Sequence, residues 1–224
     1  MSNPARQKVV FFFDVDNTLL NNDRVTADLE SYLQQFGEGA YRRYRELFEE
    51  IRQEMGYADY LGTLQRYRLE KMHDARLLRM SSFLVDYPFA NRLYPESLDA
   101  IDHVRRWGQP VVLSDGDAVF QPRKIERSGI FEAVDRCVII LIHKEQGLDY
   151  VEELHPADHY VMIDDKLRIL TAMKEIWGDR LTTVWPRQGH YATELGIEDK
   201  FPRPDVTLER IGDLVSHDFS DLAR

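Results

Sequence analysis

The chain has 224 residues, 43% hydrophobic and 30% charged, an ordinary balance for a soluble globular protein. That length allows one large domain, or one domain with an insert, around a sizeable core. The formal net charge of -10 disfavours nucleic acid and anionic lipid as default partners, and it obliges any phosphate site to supply its own local cations.

Met1–Lys8 is short and polar, unlike a signal peptide, and no apolar run approaches the roughly 18 residues of a membrane span. A cytoplasmic protein is expected. Val9–Phe13 is the first apolar run, continuous rather than alternating, as in a strand buried on both faces. From Thr26 to about Pro88 there is no strand signal. Leu29, Tyr32, Leu33 and Phe36 follow helical spacing up to Gly37. Tyr41, Tyr44, Phe48, Ile51 and Met55 repeat the pattern up to Gly56, and Tyr60, Leu64 and Tyr67 continue it. These stripes predict a helical insert of about 65 residues, in segments of ordinary helix length.

Four more short apolar runs follow: Val111–Leu113, Val138–Ile142, Tyr160–Ile163 and Thr182–Trp185. Helical patterns lie at Pro95–Trp107, Ala118–Ser128 and Lys166–Trp177, stopping at Gly108, Gly129 and Gly178. A glycine just past a helix end is expected to form a left-handed cap. Strands alternating with helices predict an α/β fold: a Rossmann-like parallel sheet with helices on both faces. The expected division is a core of residues 1–22 and 89–224 with an all-helical cap domain at 23–88. Cys137, the single cysteine, can form no internal disulfide and reads as a buried or half-buried thiol in a strand. After Phe201 come the short run Asp205–Leu208 and a polar end expected to fray.

The strand ends carry the chemistry. The first run leads into Asp14-Val15-Asp16-Asn17-Thr18, the second into Ser114-Asp115-Gly116, the third into His143-Lys144 and the fourth into Asp164-Asp165. Ligands of open α/β sheets bind outside the carboxyl ends of the strands, so these groups should converge if the strands are neighbours. Clustered carboxylates call for a cation. Oxygen-only ligation suits magnesium, which takes one or two carboxylates plus a substrate phosphate. A carboxylate can attack phosphorus, and a second one can move the protons. A lysine and a metal offset the charge on a transferring phosphoryl group.

In this order the residues resemble the motifs of the haloacid dehalogenase superfamily. Phe13–Leu19 is similar to motif I, Leu113-Ser114 to motif II, Lys144 to motif III and Ile163–Asp165 to motif IV. The resemblance spans about residues 8–210 and includes a helical insert after motif I. It implies that Asp14 is the nucleophile and that Asp16 is the acid and base. It implies that Ser114 bonds a phosphoryl oxygen and that Lys144 steadies Asp14. Asp14, Asp16, Asp164 and Asp165 are the implied magnesium ligands. Thr18, which helps fix the motif I loop, is a candidate substrate-binding residue together with Asp115 and Gly116. The insert is the implied cap that selects the substrate. In the dehalogenase branch the second acid of motif I is absent, so Asp16 favours phosphoryl transfer. Asp115-Gly116-Asp117 stands where many relatives have asparagine and glycine, which adds negative charge near the site.

The expected function is magnesium-dependent hydrolysis of a small phosphorylated metabolite. The alternatives are a phosphosugar mutase sharing every motif, separable by phosphate release, and a non-enzymatic binding protein. A monomer is the default expectation and a dimer the alternative. Lys124, on the helix after motif II, competes with Lys144 for the site. Arg42, Arg43, Arg45, Arg52, Arg66, Arg68, Arg76 and Arg79 of the insert read mainly as solvated faces, with one or two left to hold a substrate anion. Tyr41, Tyr44 and Tyr67 read as core of the insert, and His143 and His190 as structural or peripheral.

Overall fold

A computed structural model describes residues 5–222; residues 1–4 of the polar start and the last two, 223–224, lie outside it. Six strands form one sheet: β1 (Gln7–Phe13), β2 (Gln109–Asp115), β3 (Val138–Leu141), β4 (Ala157–Ile163), β5 (Leu181–Pro186) and β6 (Val206–Leu208). All pairings are parallel, in the order β3-β2-β1-β4-β5-β6. The α/β architecture expected from the alternating pattern is therefore present. No helix of the described residues is long and apolar enough to cross a membrane.

The continuous apolar runs are explained by two cores, one on each face of the sheet. Side chains alternate across a strand. Val9, Phe11 and Phe13 accordingly join one cluster, and Val10 and Phe12 the other. Phe12 lies 5.6 Å from Tyr160 and 6.0 Å from Trp177 between ring centroids, both stacked. Removing that ring would cost about 3–5 kcal/mol.

Between β1 and β2 run α1 (Asn22–Gln34), α2 (Ala40–Met55), α3 (Tyr60–Glu70) and α4 (Leu77–Val85). The helical spacing read from the sequence is buried as expected at Leu29, Leu33, Tyr44, Phe48, Ile51, Tyr60, Leu64 and Tyr67. Four positions depart from it, and of these Tyr32 and Tyr41 are half-buried against the core. Phe36 lies past the end of α1, and Met55, in the last turn of α2, is 53% exposed. The Asn21 side chain caps α1 by accepting from Arg24 N at 2.9 Å.

The remaining α-helices of the described residues are α5 (Ser97–Val104), α6 (Phe120–Ser128), α7 (Ile130–Ala133), α8 (Leu148–Leu154), α9 (Leu167–Trp177), α10 (Gly189–Ala192) and α11 (Ile197–Lys200). Gly129 forms the expected left-handed cap, with φ 86° and ψ -4°; Gly178 also has a positive φ, 55°, but its ψ of -129° takes it out of the left-handed helical region. Gly108 has no positive φ, and its role is different. A Cβ there would stand 2.2 Å from the Val9 carbonyl oxygen, so close approach to β1 excludes any side chain. Cys137 is half-buried and lies one residue before β3 rather than in it. The tail expected to fray packs down instead. Ile211 and Leu214 are buried, and Phe219 sits 5.1 Å from Phe11 and 5.7 Å from Trp107.

Candidate active site

The strand order reverses at β1. Chain progression runs outward through β2 and β3 on one side and through β4, β5 and β6 on the other. Loops leave the reversal point in opposite directions, and the crevice between them is where this sheet type binds ligands. Phe13 pairs with Ile163, so Asp14 and Asp164 leave adjacent strands at the same level. Asp14 N donates to Ile163 O at 3.0 Å. One carboxylate oxygen each from Asp14, Asp164 and Asp165 lies within 4.8 Å of the others, and all three residues are buried.

Lys144 follows β3 in a short 3-10 turn, Lys144–Gln146. Its backbone N donates to Asp115 Oδ1 at 2.7 Å, which aims the side chain inward. Its Nζ then lies 2.5 Å from Asp14 Oδ1 and 3.3 Å from Leu113 O. It also pairs with Asp164 Oδ2 at 2.6 Å, an ion pair not aligned as a hydrogen bond. Lys124 reaches the site as well but takes the other acid of motif I. Its Nζ is 2.5 Å from Asp16 Oδ1 and 3.0 Å from Asn22 Oδ1. The two lysines do not compete; each holds a different acid of the motif I loop, and Lys144 pairs with Asp164 as well.

Thr18 is fully buried behind the site. Its hydroxyl accepts from Asp165 N at 3.0 Å and donates to Asp14 Oδ2 at 3.4 Å, so it ties two acids together and does not border the cleft. Ser114 Oγ stands 3.5 Å from Asp14 Oδ1 and accepts from Gln121 Nε2 at 3.0 Å. Gly116 leaves room for Gln121, whose Cβ would be 2.6 Å from an added Cβ. Asp115 and Gly116 both border the cleft.

Burial pushes the Asp14 carboxyl up, but Lys144 and Lys166 together outweigh it and hold the group below the ordinary aspartate value. At Asp164 and Asp165 burial wins and raises both, Asp165 strongly. Burial also raises Asp115, to about 6. Burial pulls Lys144 down, yet Asp14 and Asp164 more than reverse this and keep it charged. Both carboxylate oxygens of Asp165 are buried without a hydrogen-bond partner among the described residues. Unpartnered carboxylate oxygens beside two further buried carboxylates fit a hard divalent cation.

A cleft of about 740 Å³ lies between this end of the sheet and helices α1–α3. Asp16, Asn17, Asp115, Gly116 and Lys166 border it from the sheet side, and Arg45, Phe48, Arg52 and Tyr60 from the helices. Of the insert's arginines, Arg45 and Arg52 reach the cleft, while Arg43 pairs with Glu70 and Arg66 with Glu54 at the surface. Tyr44 is core as expected, its hydroxyl donating to Tyr60 O at 2.8 Å, whereas Tyr41 borders the cleft.

Four residues not singled out from the sequence as site residues belong to this neighbourhood. Lys166 lies in the field of Asp14, Asp165, Asp164 and Asp16, which hold its charge against burial. Its signal was its place directly after Asp164-Asp165. Gln121 supports Ser114. Asn17 holds a left-handed backbone, φ 62°, at the turn of the motif I loop. His190, read as structural or peripheral, borders the cleft.

Comparison with known proteins follows the same lines. Residues 9–176 match the family model of haloacid dehalogenase-like hydrolases. A haloacid dehalogenase-like hydrolase structure from Burkholderia xenovorans is 60% identical, covers 94% of this chain and 99% of its own, and superposes with a TM-score of 0.88. The L-2-haloacid dehalogenase of Xanthobacter autotrophicus is 19% identical over 92% of this chain and 96% of its own, TM-score 0.60. A magnesium-bound HAD-hydrolase of Bacillus subtilis is 15% identical over 92% and 96%, TM-score 0.58. These last two show the shared fold alone. No curated protein sequence matches.

Proposed function

Because the chain belongs to the haloacid dehalogenase-like hydrolase family, we propose that it is a magnesium-dependent phosphohydrolase acting on a small phosphorylated metabolite through an aspartyl phosphate at Asp14. One observation carries the choice of phosphate over halide. Asp16 borders the cleft two residues beyond the buried Asp14, with its carboxylate held by Lys124. A halide leaves as a stable anion and needs no proton. An alkoxide leaving a phosphate ester does, and Asp16 is placed to give it.

In this reading Asp14, kept ionised by Lys144 and Lys166, attacks phosphorus. The ester P–O bond breaks, and the leaving oxygen takes the proton that Asp16 carries in this reading on Oδ2, the oxygen Lys124 does not hold. Asp16 then removes a proton from water, which attacks the acyl phosphate and regenerates Asp14. Ser114 offers its hydroxyl to a phosphoryl oxygen, and Lys144 offsets the charge that builds up. Asp14 is only 2% exposed, so entry of a substrate requires the side chains above it to move. Asp14, Asp164 and Asp165, with the backbone carbonyl of Asp16, would hold magnesium, which when bound supplies charge neutralisation at the transferring group.

Helices α1–α4 act in this reading as the cap, residues 23–88, and the side chains they present to the cleft select the substrate. The acidic chain works as a cytoplasmic monomer on small molecules, without nucleic acid or membrane. The test is hydrolysis of p-nitrophenyl phosphate with and without magnesium, in wild type and Asp14→Ala. Magnesium-dependent release of phosphate, lost in the variant, is expected. Release of halide from 2-chloropropionate with no phosphatase activity would refute it.

A further inference from the structure

His190 stands out among the cleft residues because its ring is positioned from one side only. Asp23, in the first turn of α1, takes both available protons of the residue: His190 N donates to Asp23 Oδ2 at 2.9 Å, and Nδ1 lies 2.6 Å from Asp23 Oδ1. Asn17 Nδ2 donates to the same Asp23 Oδ1 at 2.9 Å. Gly189 makes this approach feasible. It has φ 76°, and a Cβ on it would stand 2.4 Å from Asn17 Cβ. Tyr191 backs the imidazole at 3.9 Å between centroids, and its hydroxyl accepts from Arg52 of the helical insert at 3.3 Å.

An acceptor-only carboxylate at 2.6 Å calls for the proton on Nδ1, and Asn17 Nδ2 lies 3.3 Å from that nitrogen as well. With Nδ1–H given to Asp23, the second nitrogen, Nε2, has no hydrogen-bond partner among the described residues. The side chain is 57% exposed and borders the cleft. Nε2 accepts when the ring is neutral and donates when it is protonated. A hydroxyl satisfies either state.

We propose that His190 is a specificity-determining residue whose Nε2 binds a hydroxyl of a neutral, hydroxyl-bearing leaving group. The proposal rests on the phosphohydrolase reading. Its position argues for the leaving group: Asn17, which shares Asp23 with His190, directly follows Asp16, the proton donor to the leaving oxygen. The charges argue for neutrality. Arg45 pairs with Glu49 at 3.2 Å, Arg52 more loosely with the same carboxylate at 3.8 Å, Lys200 with Glu194 at 2.5 Å and Arg168 with Glu145 at 2.9 Å, while Lys166 lies in the field of the site's aspartates. Little cationic charge is left over for a second phosphate.

The experiment compares kcat/KM for hydroxylated esters (ribose 5-phosphate, glucose 6-phosphate, glycerol 3-phosphate and a ribonucleoside 5′-monophosphate) with that for p-nitrophenyl phosphate, which has no such hydroxyl. The variants separate the two ring nitrogens. Asparagine reproduces the position of Nδ1, bonded to Asp23; glutamine reproduces that of Nε2. For the best hydroxylated ester, the ratio to p-nitrophenyl phosphate should fall about 10-fold or more in His190→Ala and His190→Asn, mainly through KM. It should recover to within about 3-fold in His190→Gln, since one hydrogen bond is restored. An equal fall on both substrate types, rescue by asparagine instead, or no fall for any hydroxylated ester would overturn the proposal. If the wild type hydrolyses none of these esters, the phosphohydrolase reading fails on its own. The ¹⁵N NMR signal of His190 Nε2 then decides the binding question: a shift on adding ribose 5-phosphate supports it, and no shift with any of the four hydroxylated esters refutes it.

Discussion

Lys144 Nζ lies 2.5 Å from Asp14 Oδ1, joining two buried groups that are 130 residues apart in sequence. Two residues beyond Asp14, Asp16 has its own buried lysine, Lys124, at the same distance. Each acid of the motif I loop is thus held by a separate cation on a separate element. Burying such pairs costs desolvation, and breaking one leaves a charge with nothing to offset it.

Lys144→Met should therefore fail twice. Asp14 and Asp164 would face each other with less compensation, costing about 3–5 kcal/mol of stability. Turnover of p-nitrophenyl phosphate should drop at least about 100-fold, the size of effect expected from removing a transition-state donor. Denaturant unfolding and steady-state kinetics on the same preparation check both. Wild-type stability would show that the ion pair contributes little.

Lys124→Met should behave differently. Asp16 would lose the partner that orients it, and kcat should fall about 10-fold or more with little change in KM, as for an interaction made mainly in the transition state. A raised KM with kcat intact would instead place Lys124 in ground-state binding.

Asp16→Asn tests the proton donor through the leaving group. An alkyl phosphate needs its leaving oxygen protonated far more than p-nitrophenyl phosphate does. The loss should be about 100-fold or more on the alkyl ester and clearly smaller on the aryl one. Equal losses on both would contradict the acid role.

Asp115 gives the pH dependence. Burial raises its folded pKa to about 6, above the ordinary 3.8. Between those values the folded state binds more protons than the unfolded state, so stability falls as pH rises through this window and stays lower above it. An asparagine in its place would carry no charge to bury and could still accept from Lys144 N. Asp115→Asn should be more stable by about 1–3 kcal/mol near pH 7, with the gain vanishing below about pH 4. Thermal melts across that range, with a chelator present, measure it.

Much of this was legible in the sequence, for reasons that particular residues make clear. Phe11, Phe12 and Phe13 form an unbroken apolar run because both faces of β1 are covered, and the acid that follows has to emerge at the sheet's end. Tyr44, Phe48 and Ile51 are buried as their spacing requires. The division of labour between Lys124 and Lys144 was not legible. It depends on how α6 packs across 108 positions of sequence, which no local spacing encodes. That His190 borders the cleft was not legible for a similar reason: its contact with Asp23 forms where Asn17 and Gly189 both have positive φ. Phe219, in a stretch expected to fray, is held by Phe11 and Trp107, partners far away in the chain.

The central claim is that Asp14 becomes phosphorylated. Wild-type enzyme should be mixed with a ³²P-labelled phosphate ester and magnesium, quenched in acid during turnover, and digested. The label is expected on the peptide containing Asp14, and on no peptide of Asp14→Asn. Hydrolysis that continues in Asp14→Asn, or label carried by another residue, would contradict the account.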